Sequence, residues 1–374
     1  MSTYEARHRP FTQNISVRNV NDALEHALRY LPYNSEASGS RAGRVMVSHT
    51  PVITCYANPC ERVLFSPMRD ANPFFHFMES LWMLAGRDDV AYPVLFNSTF
   101  GQFSDDGERF WGAYGFRWRK WFGYDQLNLI IEELKRDPTS RRCVLSMWSP
   151  GYIVFPDSDT TVNMVQPDLM QALGGGKDVP CNTNVFFRVV DDSLDMMVNC
   201  RSNDVFWGAY GANAVHFSFL LEYLASAIGC KVGRYWQNSF NFHAYVDKFP
   251  EDKFNAYSND ARAHNLYETE QLKPFPLMVG PREDWDLDLC VFMRWSEVVG
   301  MGDDTMAIPQ FDEPFFNDVA VPMRLAWMNH KQKDYASADS LCNLIAAEDW
   351  RAACKAWITR RWQRHARKVD GNDQ

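Results

Sequence analysis

Pro180-Cys181-Asn182 stands where a loop hands over to a strand. A cysteine at such an edge can face a pocket while its backbone is held firmly. To act as a nucleophile it needs positive charge nearby to stabilise the thiolate. Arg201-Ser202 follows the second strand of the hairpin that begins near Cys181, within reach of both the thiol and a bound phosphate. Arg141-Arg142 is another adjacent pair, and Arg41 and Arg44 sit in the Gly/Ser-rich segment SEASGSRAGR. Arginine forks beside a serine hydroxyl suit a phosphate monoester. Glu79 lies in the middle of the apolar run FFHFMESLWML. Each of these features alone is commonly structural. In combination they describe sulfur nucleophile chemistry on a phosphorylated substrate.

The elements that must position these groups are legible from periodicity. Residues 74–84 read as a buried helix with almost no polar face, ended by Gly86. Residues 126–136, QLNLIIEELKR, read as an amphipathic helix stopped before Pro138. The segment RRCVLSMW reads as a strand, and residues 156–180, rich in Asp, Gly and Pro, as an irregular surface excursion. Val185, Phe187 and Val189 alternate, Asp191-Asp192 form a turn, and Leu194, Met196, Val198 and Cys200 resume the alternation. Asn213 to Ile228 reads as a helix ending at Gly229, and Val232 to Phe242 alternates again. Taken by itself, Asn213 reads as that helix's N-cap. Residues 338–366 give an alanine-rich, then basic helical pattern, with Ala346, Trp350, Ala353 and Trp357 near one stripe that docks on the main body. The pattern is a large sheet carrying helices rather than a regular βαβ repeat.

Composition narrows the function classes. The chain has 374 residues, 46% of them apolar and 23% charged, which are ordinary globular values. A net charge of −9 argues against broad binding to a nucleic-acid backbone but allows a local arginine pocket. The nine scattered cysteines fit a reducing compartment, here expected to be the cytoplasm, or the host cytoplasm if the source is viral. Cys55 and Cys60 lack a matching second ligand pair, so no metal site is expected. MSTYEARHRPF contains no apolar signal segment, and no apolar run is long enough to span a membrane.

In order and spacing, the chain resembles the thymidylate synthase family. The anchors are MESLW at 78–82, GAYGFRWRKW at 112–121, DPTSRR at 137–142, PC at 180–181, RSNDVFWG at 201–208, Asn213 with its helix, and HAY at 243–245. The resemblance implies a thymidylate synthase-like α+β fold, with a large mixed β-sheet, surrounding helices and a helical C-terminal extension. The expected division is an N-terminal extension over 1–40, a catalytic domain over 41–290 and a mainly helical extension over 291–374.

The resemblance also implies roles. Cys181 would add to C6 of a pyrimidine nucleotide, making C5 a nucleophile toward the methylene of 5,10-methylenetetrahydrofolate. Glu79 would organise water and proton transfers, and Tyr114 would lie near proton abstraction. Arg201, Ser202 and Arg41, with Arg44 as its rival, would hold phosphate. Arg141 and Arg142 would enter from the other subunit of a homodimer with shared sites. His243 and Tyr245 would hold the deoxyribose hydroxyl, Asp204 the folate pterin, and Asn213 a uracil rather than a cytosine ring.

Three departures bear on the product. Asn182 replaces the histidine that normally follows the nucleophile, and it cannot carry a proton near neutral pH. Phe100 stands where the family has a tryptophan that shields the exocyclic methylene from water, and Phe103 matches a second aromatic position. The end of the chain, KVDGNDQ, is polar where a synthase closes its site with an aliphatic residue. A site more open to water favours a hydroxymethyl product over a methyl one. The expected activity is therefore deoxyuridylate 5-hydroxymethyl transfer. Thymidylate synthesis is the alternative, and cytidylate hydroxymethyl transfer or a noncatalytic nucleotide-binding role lies further off.

Overall fold

The computed structural model describes residues 12–154, 163–300 and 306–369, so the opening MSTYEARHRPF and the polar end from Asp370 lie outside the described residues. The strands in chain order are β1 (Gln13–Val17), β2 (Ser35–Ser40), β3 (Gly43–Ser48), β4 (Val52–Tyr56), β5 (Val144–Ser146), β6 (Tyr152–Val154), β7 (Asn163–Val165), β8 (Asn182–Val190), β9 (Ser193–Cys200), β10 (Asn203–Asp204), β11 (Lys231–Ser239) and β12 (Phe242–Tyr245). Six of them form a mixed sheet in the order β1-β4-β11-β9-β8-β5, and four a smaller sheet, β10-β12-β3-β2.

The alternation read from the sequence builds the centre of the large sheet. β8 and β9 pair antiparallel, with Val185, Phe187, Leu194, Met196, Val198 and Cys200 buried on the inner face. Asp191 and Asp192 take φ of 49° and 58°, the left-handed pair that a two-residue hairpin turn requires. The Asn213–Ile228 helix lies on β9 and β11 and is buried on almost every side. The Pro73–Leu84 helix packs against it and is buried throughout, which explains its lack of a polar face. Gly86 and Gly229 end these helices at φ of 65° and 91°, conformations that favour glycine.

Two stretches hold more regular structure than their sequence pattern shows. The stretch before residue 41 does not stand apart from the main sheet. β1 pairs in parallel with β4 in the main sheet, and the Val20–Asn34 helix buries Leu24, Leu28 and Leu31 completely. Residues 163–180 are not simply a surface excursion either. They contain β7 and the Asp168–Leu173 helix, and Asp168 is fully buried against Arg117 at 2.7 Å. That carboxylate also accepts from Trp111 Nε1 and the Ser149 amide, both at 2.7 Å, so its charge is compensated on several sides. The pairing ties the chain leading to Cys181 to the helical GAYGFRWRKW element.

The C-terminal helical pattern resolves into two helices, Tyr335–Cys342 and Glu348–Val369. Trp350 packs edge-on to Phe77 at 5.2 Å and Trp357 to Phe74 at 5.8 Å. The terminal helix therefore backs the helix that carries Glu79. Among the described residues, no helix is long and apolar enough to cross a membrane.

Candidate active site

The loop before Cys181 is fastened at successive positions. Arg41 donates to the Gly176 and Lys177 carbonyls at 3.0 and 3.2 Å. The Gly112 amide donates to Asp178 at 2.8 Å. Arg201 donates to the Val179 and Pro180 carbonyls at 3.1 and 3.0 Å, and Trp148 Nε1 donates to Pro180 at 2.9 Å. The Arg201 amide in turn donates to the Cys181 carbonyl at 2.8 Å. These contacts fix the backbone and leave Sγ to face a cleft of about 320 Å³.

The cleft brings most of the predicted residues together. Its lining includes Glu79, Phe100, Tyr114, Cys181, Ser202, Asp204, Asn213, His243 and Tyr245. A Cβ on Gly115 would overlap the Met83 carbonyl, so glycine there lets the neighbouring Tyr114 approach the end of the Glu79 helix. Phe100 is half-buried between Phe75 and Phe110, with ring centres at 5.1 and 4.9 Å. Phe103 packs behind it at 5.8 Å and does not line the cleft.

Asn182 also points away from the cleft. It is fully buried, and its Oδ1 accepts from the Cys200 thiol at 2.8 Å. Of the two early arginines, Arg41 lies toward the thiol, whereas Arg44 pairs with Asp247 at 2.8 Å. Arg141 and Arg142 are exposed beside β5 and do not line the cleft.

Asn213 is not an N-cap. Helical backbone precedes it, because the chain enters the helix through a π-turn at Val205–Ala212. A π-turn accommodates one residue more than the same span of α-helix. It therefore sets the rotation at which Asn213 enters the following helix. Asn213 Nδ2 donates to Asn203 Oδ1 at 3.0 Å, and Asn203 Nδ2 donates to Ser239 Oγ at 3.0 Å. Both asparagines are buried.

The electrostatics divide the groups by task. Burial pushes the Cys181 thiol above its ordinary range; Arg201 and Arg41 pull it down, and Asp178 pushes it further up. Burial, followed by the Cys181 charge, holds the Tyr114 phenol well above its usual value, so it remains a hydrogen-bond donor. Asp178 is raised to about 6, chiefly by burial. Asp204 is likewise raised by burial, while its Oδ2 accepts from the Trp207 amide at 2.5 Å. Its Oδ1 is buried without a hydrogen-bond partner.

Among the lining residues that escaped the sequence reading are Asp178, Asn203, Trp207 and His216. Asp178 was hidden in the Gly-rich run GGGKDVPC, and Trp207 and Asn203 lay inside RSNDVFWG without a role. His216, one turn after Asn213, sits in an apolar helix and resembles an ordinary core histidine.

Comparison with known proteins places these features in context. The sequence pattern of the family described as thymidylate synthase matches residues 69–256. The chain is 42% identical over 362 residues to a deoxyuridylate hydroxymethyltransferase of Pseudomonas phage M6, covering 93% of this chain and 94% of that one. It is 34% identical over 301 residues to a protein of the same description from Bacillus phage SP01, covering 76% and 73%. A putative thymidylate synthase of Methanosarcina barkeri is 36% identical over 134 residues, covering 36% and 52%.

Proposed function

Because the chain belongs to the thymidylate synthase family, we propose that it converts deoxyuridylate to 5-hydroxymethyldeoxyuridylate, using 5,10-methylenetetrahydrofolate as the one-carbon donor. The observation that carries this reading is a single cleft lined by Cys181, Glu79 and Asn213, with a phenylalanine, Phe100, on its wall. Similarity over 93% and 76% of the chain to two phage proteins described as deoxyuridylate hydroxymethyltransferases supports it.

Arg201, Ser202 and Arg41 hold the phosphate at the edge nearest the thiol. Cys181 Sγ attacks C6 of the ring, and Asn213 donates to O4, where negative charge grows. His243 and Tyr245 hold the sugar. Tyr114 donates a hydrogen bond near C5 as its proton leaves, and Glu79 organises water and proton transfer. The folate donor supplies a carbon at the oxidation level of formaldehyde. Asp204 fits its ring, since a buried carboxylate oxygen without a protein partner is suited to accept from a heterocyclic N–H. Trp207, 45% exposed at the cleft, offers an aromatic face beside it.

Mass analysis of the product from deoxyuridylate and the folate donor tests the reaction. The expected increment is CH2O, with tetrahydrofolate released. A CH2 increment with dihydrofolate would identify thymidylate synthesis instead.

The acting unit is a homodimer. The outer face of the large sheet carries Val144, Phe186, Met197, Trp236 and Cys55 as successive cross-strand partners, a row of mainly apolar side chains. Val144 and Phe186 are 45% and 41% exposed. An uncovered apolar sheet face is suited to pack on its own copy about a twofold axis. Arg141 and Arg142 stand at the rim of this face, immediately before β5, from where they reach the partner's phosphate. Mixing Cys181→Ala and Arg142→Ala subunits is expected to restore activity to roughly a quarter of the sites, since half the dimers are mixed and each has one repaired site. No recovery after subunit exchange, or full activity in a monomer, would refute the shared site.

A further inference from the structure

Hydroxymethyl transfer makes water a reactant, so the site needs a group to take the proton of that water. His216 projects from the Asn213–Ile228 helix into the same cleft as Cys181. It is 2% exposed, and its Nε2 lies 3.0 Å from Glu79 Oε2, without the alignment of a hydrogen bond. Neither ring nitrogen of His216, nor that carboxylate oxygen, has a hydrogen-bond partner in the protein. Leaving such groups buried and unsatisfied is costly. A water on their cleft side, within reach of both, would relieve that cost and would stand beside the reacting ring. A histidine serving only the core would be expected to have its nitrogens satisfied by protein groups.

Resting on the hydroxymethyl reading above, we propose that His216, paired with Glu79, holds and deprotonates the water that adds to the C5 methylene of the Cys181-bound pyrimidine. The water oxygen bonds to the exocyclic carbon. The electron pair of the C5–methylene double bond moves into the ring as the O4 enolate. The water proton passes to the His216 imidazole, and the Glu79 carboxylate stabilises the imidazolium. Collapse of the enolate forms the C5–C6 double bond and expels the Cys181 thiolate. His216 then returns its proton to solvent. No oxidant or reductant is consumed.

The test separates the steps before water addition from water addition itself. With deoxyuridylate tritiated at C5, the wild-type protein should release tritium and form hydroxymethyl product at equal rates. In His216→Gln, the first tritium per site should be released within about fivefold of the wild-type rate, while product formation falls roughly 100-fold, the scale of a lost general base. An added small thiol should then capture the stranded methylene as a thioether of the nucleotide. Unchanged product formation in His216→Gln would overturn the proposal. So would equal loss of tritium release and product, which marks a structural role. Nucleotide affinity confirms that the variant is folded, and His216→Asn repeats the measurement if the first variant is not. If the wild-type protein itself yields thymidylate, the hydroxymethyl reading fails first, and the product mass shows it independently of any variant.

Discussion

Cys181→Ala is expected to lower turnover by roughly 10,000-fold or more while leaving deoxyuridylate affinity within about threefold. The two effects separate because different atoms carry them. Covalent attack on C6 requires Sγ. In the proposed mechanism, phosphate binding uses Arg201, Ser202 and Arg41, base recognition uses Asn213, and sugar recognition uses His243 and Tyr245. The loop bearing residue 181 is held by backbone acceptors at Gly176, Lys177, Val179 and Pro180, none of which depends on the thiol. Removing one sulfur therefore leaves the pocket's frame in place. Cys200, the nearby alternative, cannot substitute: it is buried, its thiol donates to Asn182, and burial raises it well above the ordinary thiol range. The measurement is steady-state turnover beside calorimetric nucleotide affinity. Near-normal turnover would remove the covalent mechanism. Equal loss of binding and turnover would mean that the alanine had disturbed the pocket rather than the chemistry.

Local pattern made much of this arrangement legible. Strict alternation around Asp191-Asp192 specified a hairpin, and its register carries Cys181 to the end of one strand and Arg201 to the end of the other. The helix bearing Glu79 was readable because its apolar residues run all round it. The Val20–Asn34 helix was missed although Val20, Leu24, Leu28 and Leu31 repeat at helical spacing behind Asn19, which caps it. The polar SEASGSRAGR stretch dominated the reading of that region. What stayed illegible depends on contacts distant in sequence. Nothing local to His216 reveals that a carboxylate from another helix lies 3.0 Å away. Nor does local sequence reveal that Asn182 turns from the cleft toward Cys200, or that Asp168 anchors its segment to Arg117. Local sequence likewise hides the π-turn at Val205–Ala212 through which the chain reaches Asn213.

Asn213→Asp is expected to lower kcat/KM for deoxyuridylate by roughly 100-fold and to raise the relative use of deoxycytidylate. The physical basis is an amide whose orientation is fixed from behind. One N–H of Asn213 is committed to Asn203 Oδ1, which is held in turn by the Asn203 bond to Ser239. Gly208 allows that packing, since a Cβ there would fall 2.7 Å from Asn203 Oδ1. The Asn213 carbonyl and its second N–H remain for the base. They match uracil, whose N3–H donates and whose O4 accepts. Cytosine presents the reverse pair, an acceptor at N3 and a donor at position 4. To match it, both amides would have to turn together, with the Ser239 hydroxyl donating instead of accepting. The chain Asn213–Asn203–Ser239 therefore couples any change of the base-facing pair to a rearrangement behind it. A carboxylate at 213 loses the donor to O4 and repels the charge that develops there after thiolate attack. The same carboxylate accepts from the cytosine amino group. Measuring kcat/KM for both nucleotides with both proteins tests the argument. Preferential use of deoxycytidylate by the unmodified protein would defeat it, even with the Cys181 chemistry established.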